Sequence, residues 1–319
     1  MFKVIEDFPK QFSWPAKVNN AKNYRSKNKF IVLGMGGSHL AADILNHHLD
    51  KEIIVHHSYG LPKLSDKTLK DYTIIASSFS GNTEEVIDGL KLALQKKLSV
   101  AVLAVGGKLI KMAKEKNLAY VQMPDLGLQP RMGLGLQTKA LLALMRENKV
   151  ARDLKSLANT KTKTYQKQGQ KLAKQLKNKV PIIYACHYYE TLAYNWKIKF
   201  NEDTKIPAFY NTFPELNHNE MNGFDHVLST KHLSEKFHFI FLKDKNDHPR
   251  INKRMQVLQK LLTQRKFPVT IIELKGKNIW EKMFTNLIIA DFTAFYLAGH
   301  YGIDPEPVQM VEQFKKLIK

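Results

Sequence analysis

The stretch KFIVLGMGGSHLAADILNHHL (residues 29–49) carries the unit from which the chain is built: a short apolar run, a glycine turn and an amphipathic segment. KFIVLG (29–34) reads as a strand and GSHLAADILNHHL (37–49) as a helix. The alternation continues through EIIVHHS (52–58), YTIIASS (72–78), SVAVLAVG (99–106) and AYVQMP (119–124), which read as four more strands. Between YTIIASS and SVAVLAVG, NTEEVIDGLKLALQKK (82–97) sets Val86, Leu90, Ala93 and Leu94 at the spacing of one buried helix face. Strands that are nearly all apolar, joined by helices, predict an α/β fold with a parallel sheet covered on both faces.

Helical stretches are expected from about Gly133 to Lys149 and from Asp153 to Lys177, after which the alternation restarts. VPIIYAC (180–186), PAFYNT (207–212), FHFIFLK (237–243) and PVTIIELK (268–275) read as strands, and 246–265 and 278–302 as helices. Two similar βα series in a chain of 319 residues predict two domains of related architecture, 1–150 and 151–319. The terminal PEPVQMVEQFKKLIK reads as a separate amphipathic helix opened by Pro305 and Pro307.

Composition narrows the class of function. Hydrophobic residues at 44% supply a packed interior, and no apolar run reaches the ~20 residues of a membrane span. The N-terminal MFKVIEDFPKQFSWPAKV has charges where a secretory signal needs an apolar run. One cysteine, Cys186, excludes an intramolecular disulfide and a Cys-rich zinc site. A cytoplasmic protein is expected. The net charge of +21 comes from lysine scattered over segments such as KLAKQLKNKV (171–180). Clustered arginine with aromatic platforms is missing, so a solvated basic surface is expected and not a nucleic-acid partner.

Two loops carry candidate chemistry. GMGGSHLAAD (34–43) follows the first strand, with glycines that let a ligand approach the backbone and Ser38 at the helix start. Its spacing is neither the dinucleotide fingerprint nor a P-loop, and Ser38 as a helix cap explains it equally well. SSFSGNTEEV (77–86) follows the third strand and holds Ser77, Ser78, Ser80, Asn82 and Thr83 around one glycine. A cap needs one hydroxyl. Several, with a helix dipole behind them, make a cradle for an oxyanion. In a parallel sheet both loops fall at the carboxyl ends of strands, where ligands bind.

GMGGS (34–38) and SFSGNTEE (78–85) resemble the phosphate-binding loops of sugar isomerase (SIS) domains. QPRMGLG (129–135), WKIKFNEDTKIPAFYNTFPELNHNEMNG (196–223) and GIDPEPVQMVEQFKKLIK (302–319) resemble the bifunctional phosphoglucose/phosphomannose isomerases, in order and spacing over nearly the whole chain. The resemblance implies two three-layer α/β/α SIS domains with parallel sheets, plus the C-terminal helix. It implies a sugar phosphate as substrate, no cofactor and no metal. Glu202 would be the base that moves a proton between C2 and C1, and His218 the residue that opens the ring. Lys315, or Lys316 if the register slips, would assist, and Arg131 would offset the enediolate charge. Gly36, Gly37, Ser38, Ser78, Ser80 and Thr83 would hold the phosphate. The resemblance also implies a homodimer with composite active sites, the histidine coming from the neighbouring chain.

Each of these residues has a plainer reading: Glu202 as an exposed helix-end acid, His218 as a loop histidine, Arg131 and Lys315 as surface charges. Asp203 stands where the family leads one to expect a neutral asparagine; adjacent helical side chains diverge, so little effect on Glu202 is expected. In PELNHNEMNG (214–223), Glu215 and Glu220 are candidates for orienting or anchoring roles. His218 and Glu220 also match the H-x-E of zinc deaminases, but the PCxxC that would complete such a site is missing. A phosphosugar-sensing regulator or an isomerase of another sugar phosphate is the alternative. Residues 1–28 are too short for the DNA-binding segment such a regulator carries.

Overall fold

The computed structural model describes residues 1–318, which form two compact units, Glu6–Thr160 and Lys161 onward together with Met1–Ile5. Each is built on one parallel sheet. In the first unit, β1 (Lys29–Leu33), β2 (Glu52–His56), β3 (Thr73–Ser77), β4 (Ser99–Ala104) and β5 (Ala119–Gln122) lie in the order β2-β1-β3-β4-β5. Strand order reverses between β1 and β3, which pair from Phe30↔Thr73 to Leu33↔Ala76. The central β3 is buried along its whole length, which explains why Ile74, Ile75 and Ala76 in its middle are all apolar with no alternation.

One face of this sheet meets helices Glu84–Gln95 and Gly107–Glu115 through Ile31, Leu33, Ile74, Val102, Val86, Leu90, Leu109 and Ala113. Helix Leu40–His48, the crossover from β1 to β2, leaves the sheet in the other direction and packs on helix Leu134–Leu144. Right-handed crossovers on either side of the switch point put these helix pairs on opposite faces.

The second unit repeats the plan with β6 (Val180–Cys186), β7 (Phe209–Phe213), β8 (Phe237–Lys243) and β9 (Val269–Glu273) in the order β7-β6-β8-β9. Here the reversal lies between β6 and β8. Helix Glu190–Asp203 crosses from β6 to β7, and helix Pro249–Gln264 from β8 to β9. The long helix Ile279–His300 packs on Lys163–Leu176, where Gly169 lets the backbones approach: a Cβ there would lie 2.6 Å from that of Phe292. No helix among the described residues is long and apolar enough to cross a membrane.

Several segments differ from the sequence-based expectation. The helix expected over 133–149 ends at Leu144, and a turn through Arg146 at positive φ leads to a separate helix, Asn148–Asp153. The polar stretch after it divides into a 3₁₀ segment, Leu154–Asn159, and helix Lys163–Leu176. Pro305 and Pro307 precede the last helix, Gln309–Leu317, without entering it. PELNHNEMNG, expected to turn into a helix, forms two 3₁₀ turns, Glu215–Asn217 and Glu220–Phe224.

Candidate active site

In the first unit three loops meet at the carboxyl edge of the sheet. The loop after β1 turns at Gly36, whose φ of +53° suits a residue without a Cβ. Gly37 lies against the third loop so closely that a Cβ would stand 2.8 Å from the amide nitrogen of Arg131 and 2.9 Å from the carbonyl carbon of Pro130. Ser38 is buried and joins the first loop to the second: its Oγ accepts from the Phe79 N–H at 2.8 Å, and its carbonyl accepts from Ser77 Oγ at 2.9 Å. The ring of Phe79 in turn occupies the space beside Gly133, where a Cβ would be 2.3 Å from it.

The second loop is braced from within. Ser78 and Thr83 share a hydrogen bond between hydroxyls at 2.7 Å, and Ser78 Oγ accepts from the Gly81 N–H at 3.1 Å. Ser80 Oγ accepts from the Asn82 N–H, while Asn82 Oδ1 accepts from the Lys108 N–H. Gly81, at φ +73°, passes so near Gly106 that no side chain fits. The capping explanation for these hydroxyls does not hold. Ser38 caps no helix, because His39 occupies that position, and Thr83 stands at the cap of Glu84–Gln95 without a capping hydrogen bond. Neither hydroxyl is spent on a helix cap.

Arg131 is 2% exposed, so the surface-arginine reading is overturned. It sits in a 3₁₀ turn, Pro130–Met132, whose position is set from both sides: by Gly37, and by Gln11, whose amide donates to the Met132 carbonyl at 2.7 Å. The first unit thus brings together Gly36, Gly37, Ser38, Ser78, Ser80, Thr83 and Arg131.

The second unit carries Glu202, His218 and Lys315, each on a different element. Glu202 is half-buried near the C-terminal end of helix Glu190–Asp203. Its neighbour Asp203 is fully buried, so the two carboxylates part as the helical geometry requires. Lys199, on the same buried side, forms an ion pair with Asp291 at 2.6 Å that pins the helix to Ile279–His300. Since this helix runs against the strands, Glu202 lies at the amino edge of the second sheet, ahead of β7. His218 follows β7, on a loop that folds back over the strands, where Glu220 meets Tyr184 and Asn211.

The His218 side chain is exposed, and its backbone N–H donates to the Glu215 carbonyl at 2.9 Å. Lys315 lies on the fully exposed face of helix Gln309–Leu317, in an i,i+3 pair with Glu312 at 2.9 Å, and Lys316 follows it. The approach to this helix is tied to the Glu202 end of the other: the Lys205 ammonium donates to the carbonyls of Glu202 and Pro305.

At the reversal point of the second sheet there is no hydroxyl loop. Asp244, just past β8, accepts hydrogen bonds from Tyr189 and from Lys282 Nζ at 2.5 Å, and from the Asn246 N–H at 3.0 Å. Burial works against its ionisation, yet the Lys282, Tyr189 and Asn246 donors outweigh it and hold its carboxyl below the usual range. Burial, and then Asp247, push the Cys186 thiol up, away from reactivity. The sequence offered no sign of this cluster, since Tyr189, Asp244 and Lys282 are far apart in the chain.

Comparison with known proteins follows the same division. Residues 165–318 match the bacterial phospho-glucose isomerase C-terminal SIS domain. The chain is 31% identical to a bifunctional phosphoglucose/phosphomannose isomerase of Aquifex aeolicus, over all of this chain and 98% of the relative. It is 32% identical to one of Caldicellulosiruptor bescii, over 99% of this chain and 98% of that one. Among solved structures, a glucosamine-6-phosphate deaminase of Thermotoga maritima superposes with a TM-score of 0.69 at 14% identity, over 96% of each chain, which establishes a shared fold.

Proposed function

Because the chain belongs to the bifunctional phosphoglucose/phosphomannose isomerase family, we propose that it interconverts glucose 6-phosphate, and mannose 6-phosphate, with fructose 6-phosphate through a cis-enediol. The observation that carries this reading is the packing of three loops at one sheet edge, with hydroxyls, glycine backbone and a buried guanidinium side by side. Ser38, Ser78, Ser80 and Thr83, with the backbone of Gly36 and Gly37, hold the phosphate; each bond to a charged oxygen is worth about 1.5–3 kcal/mol. Anchored there, the substrate spends remote binding energy on positioning its reacting carbons.

His218 protonates O5 as the C1–O5 bond breaks and the O1 hydroxyl gives up its proton to form the C1 aldehyde, with Lys315 assisting. Glu202 then takes the proton from C2, the electron pair forms the C1–C2 double bond, and O1 takes up the proton that O2 releases. Glu202 returns its proton to C1 as the C2 carbonyl forms. Arg131 offsets the enediolate charge in between. Both epimers give the same enediol once C2 is deprotonated, and rotation about C2–C3 of the open chain is what brings the C2 hydrogen of either one to the same base. A single cysteine is in keeping with a cytoplasmic enzyme.

Within one chain Glu202 ends the helix before β7 and His218 stands on the loop after it. The reading includes a homodimer in which His218 serves the neighbour's sugar, as the family resemblance implies. The test is a coupled assay with fructose 6-phosphate on the wild type and on Glu202→Gln. A loss of about 10²–10⁴ in kcat is expected for the variant, with KM little changed. An inactive wild type, or a variant as fast as it, overturns the reading.

A further inference from the structure

We propose that Glu220 is a positioning residue that presents His218 for ring opening, an inference that rests on the role given to His218 above. His218 stands on a loop of two 3₁₀ turns with its side chain exposed, and an imidazole so placed sweeps a wide range of positions unless the backbone is fixed on both sides of it. On the N-terminal side the fixing is apolar: Leu216 is fully buried. On the C-terminal side the next apolar anchor is Phe224, whose ring packs edge-on against Phe239 with centroids 4.8 Å apart. Between His218 and Phe224 the only deep tether is the Glu220 carboxylate. One oxygen accepts from Tyr184 Oη at 2.5 Å and the other from the Asn211 side-chain amide. Tyr184 is on β6 and Asn211 on β7, so one carboxylate bolts the loop to two adjacent, paired strands.

The local bonds carry this constraint to His218. The Glu220 N–H donates to Asn219 Oδ1 at 2.6 Å, and the Asn219 amide donates to Glu215 Oε1 at 2.8 Å, closing a bridge across His218. Arg254 adds a bond to Asn217 Oδ1 at 3.4 Å. Burial, and then the Glu220 charge, push the Tyr184 phenol well above its usual range, so it stays a donor. A carboxylate offers an acceptor oxygen to each of these two donors; a glutamine keeps one acceptor and meets the other partner only as a donor. Preorganisation of this kind matters most for a group that reaches across a subunit interface, since misplacement by about 1 Å costs up to 10²-fold in rate.

The experiment is a double-mutant cycle on the full-length enzyme, with kcat and KM for fructose 6-phosphate measured for Glu220→Ala, His218→Ala and the pair. Tyr184→Phe, which removes one bond and keeps the ring, is the second probe in case Glu220→Ala fails to fold. The expected result is a fall in kcat of about tenfold to 100-fold for Glu220→Ala and a smaller one for Tyr184→Phe, with KM nearly unchanged. In the His218→Ala background either substitution adds less than twofold. Losses that multiply with that of His218→Ala overturn the proposal, since they assign Glu220 and Tyr184 to general stability. A His218→Ala enzyme as fast as wild type is a different failure: it removes the ring-opening role itself and the positioning role with it.

Discussion

Gly36 and Gly37 are adjacent and are needed for different reasons. At Gly36 the space beside Cα is open and the constraint is the backbone, which holds φ at +53°. At Gly37 the backbone is ordinary and the constraint is contact with Pro130 and Arg131. Gly37→Ala is therefore expected to push the first loop off the third, raising KM for fructose 6-phosphate about tenfold or more and costing about 1–3 kcal/mol of stability. Thermal melts and steady-state kinetics check both; unchanged kinetics would mean that the loops do not work as a unit. The glycines themselves were legible in the sequence, as was the density of hydroxyls at 77–83. Whether Ser38 and Thr83 cap helices was not legible, because it depends on where each hydroxyl points. Arg131 illustrates the same limit: after a turn proline it reads as a surface charge, and its burial depends on Gln11 and Gly37 arriving from distant parts of the chain.

The two sheets share one strand order around their reversal points and differ in what fills them. β1 and β3 end in glycine and hydroxyl loops, whereas β6 and β8 end on the internal Asp244 carboxylate with its Lys282 and Tyr189 donors. An anion built into the chain occupies the crevice at which, in the first unit, an external anion is proposed to bind. Lys282→Met strands that carboxylate in a buried site and is expected to cost about 3–5 kcal/mol at neutral pH. Because the Asp244 pKa is depressed in the fold, its contribution is present above the ordinary carboxylate pKa of about 4 and fades as pH falls through the lower folded value. Urea titrations of wild type and Lys282→Met should thus converge in strongly acidic buffer. A constant gap between them at all pH values would show that lost packing, and not charge, is responsible. Pattern alone made the duplication of βα units visible, since apolar period is a local property. The difference between the two crevices is assembled from residues far apart in the chain.

On the proposed reading, assembly brings Glu202 and His218 to one substrate. In a symmetric dimer with composite sites, Glu202→Gln and His218→Ala homodimers each carry two damaged sites. Mixing and re-annealing the two variants creates heterodimers in which one site has lost both groups and the other is intact, restoring about a quarter of wild-type activity. If both residues serve their own chain's sugar, every site keeps one defect and no activity returns. Met310, Val311, Phe314 and Leu317, on the helix that bears Lys315, are exposed apolar side chains of the single chain.

The sequence by itself determined the class of fold, the duplication of βα units, and the residue types of both halves of the proposed chemistry. Strand period, helix faces and short motifs are read within a few residues, and the interactions that set them are equally local. Only the tertiary structure decided that Ser38 latches two loops together and that Arg131 is buried. The same holds for the Glu220 bond to two strands. These depend on how β6, β7 and β8 pair and on which side chains arrive at a strand end from far along the chain. PELNHNEMNG shows both sides: its composition announced a polar loop with a candidate acid, while its function as a braced mount for His218 rests on Tyr184 and Asn211.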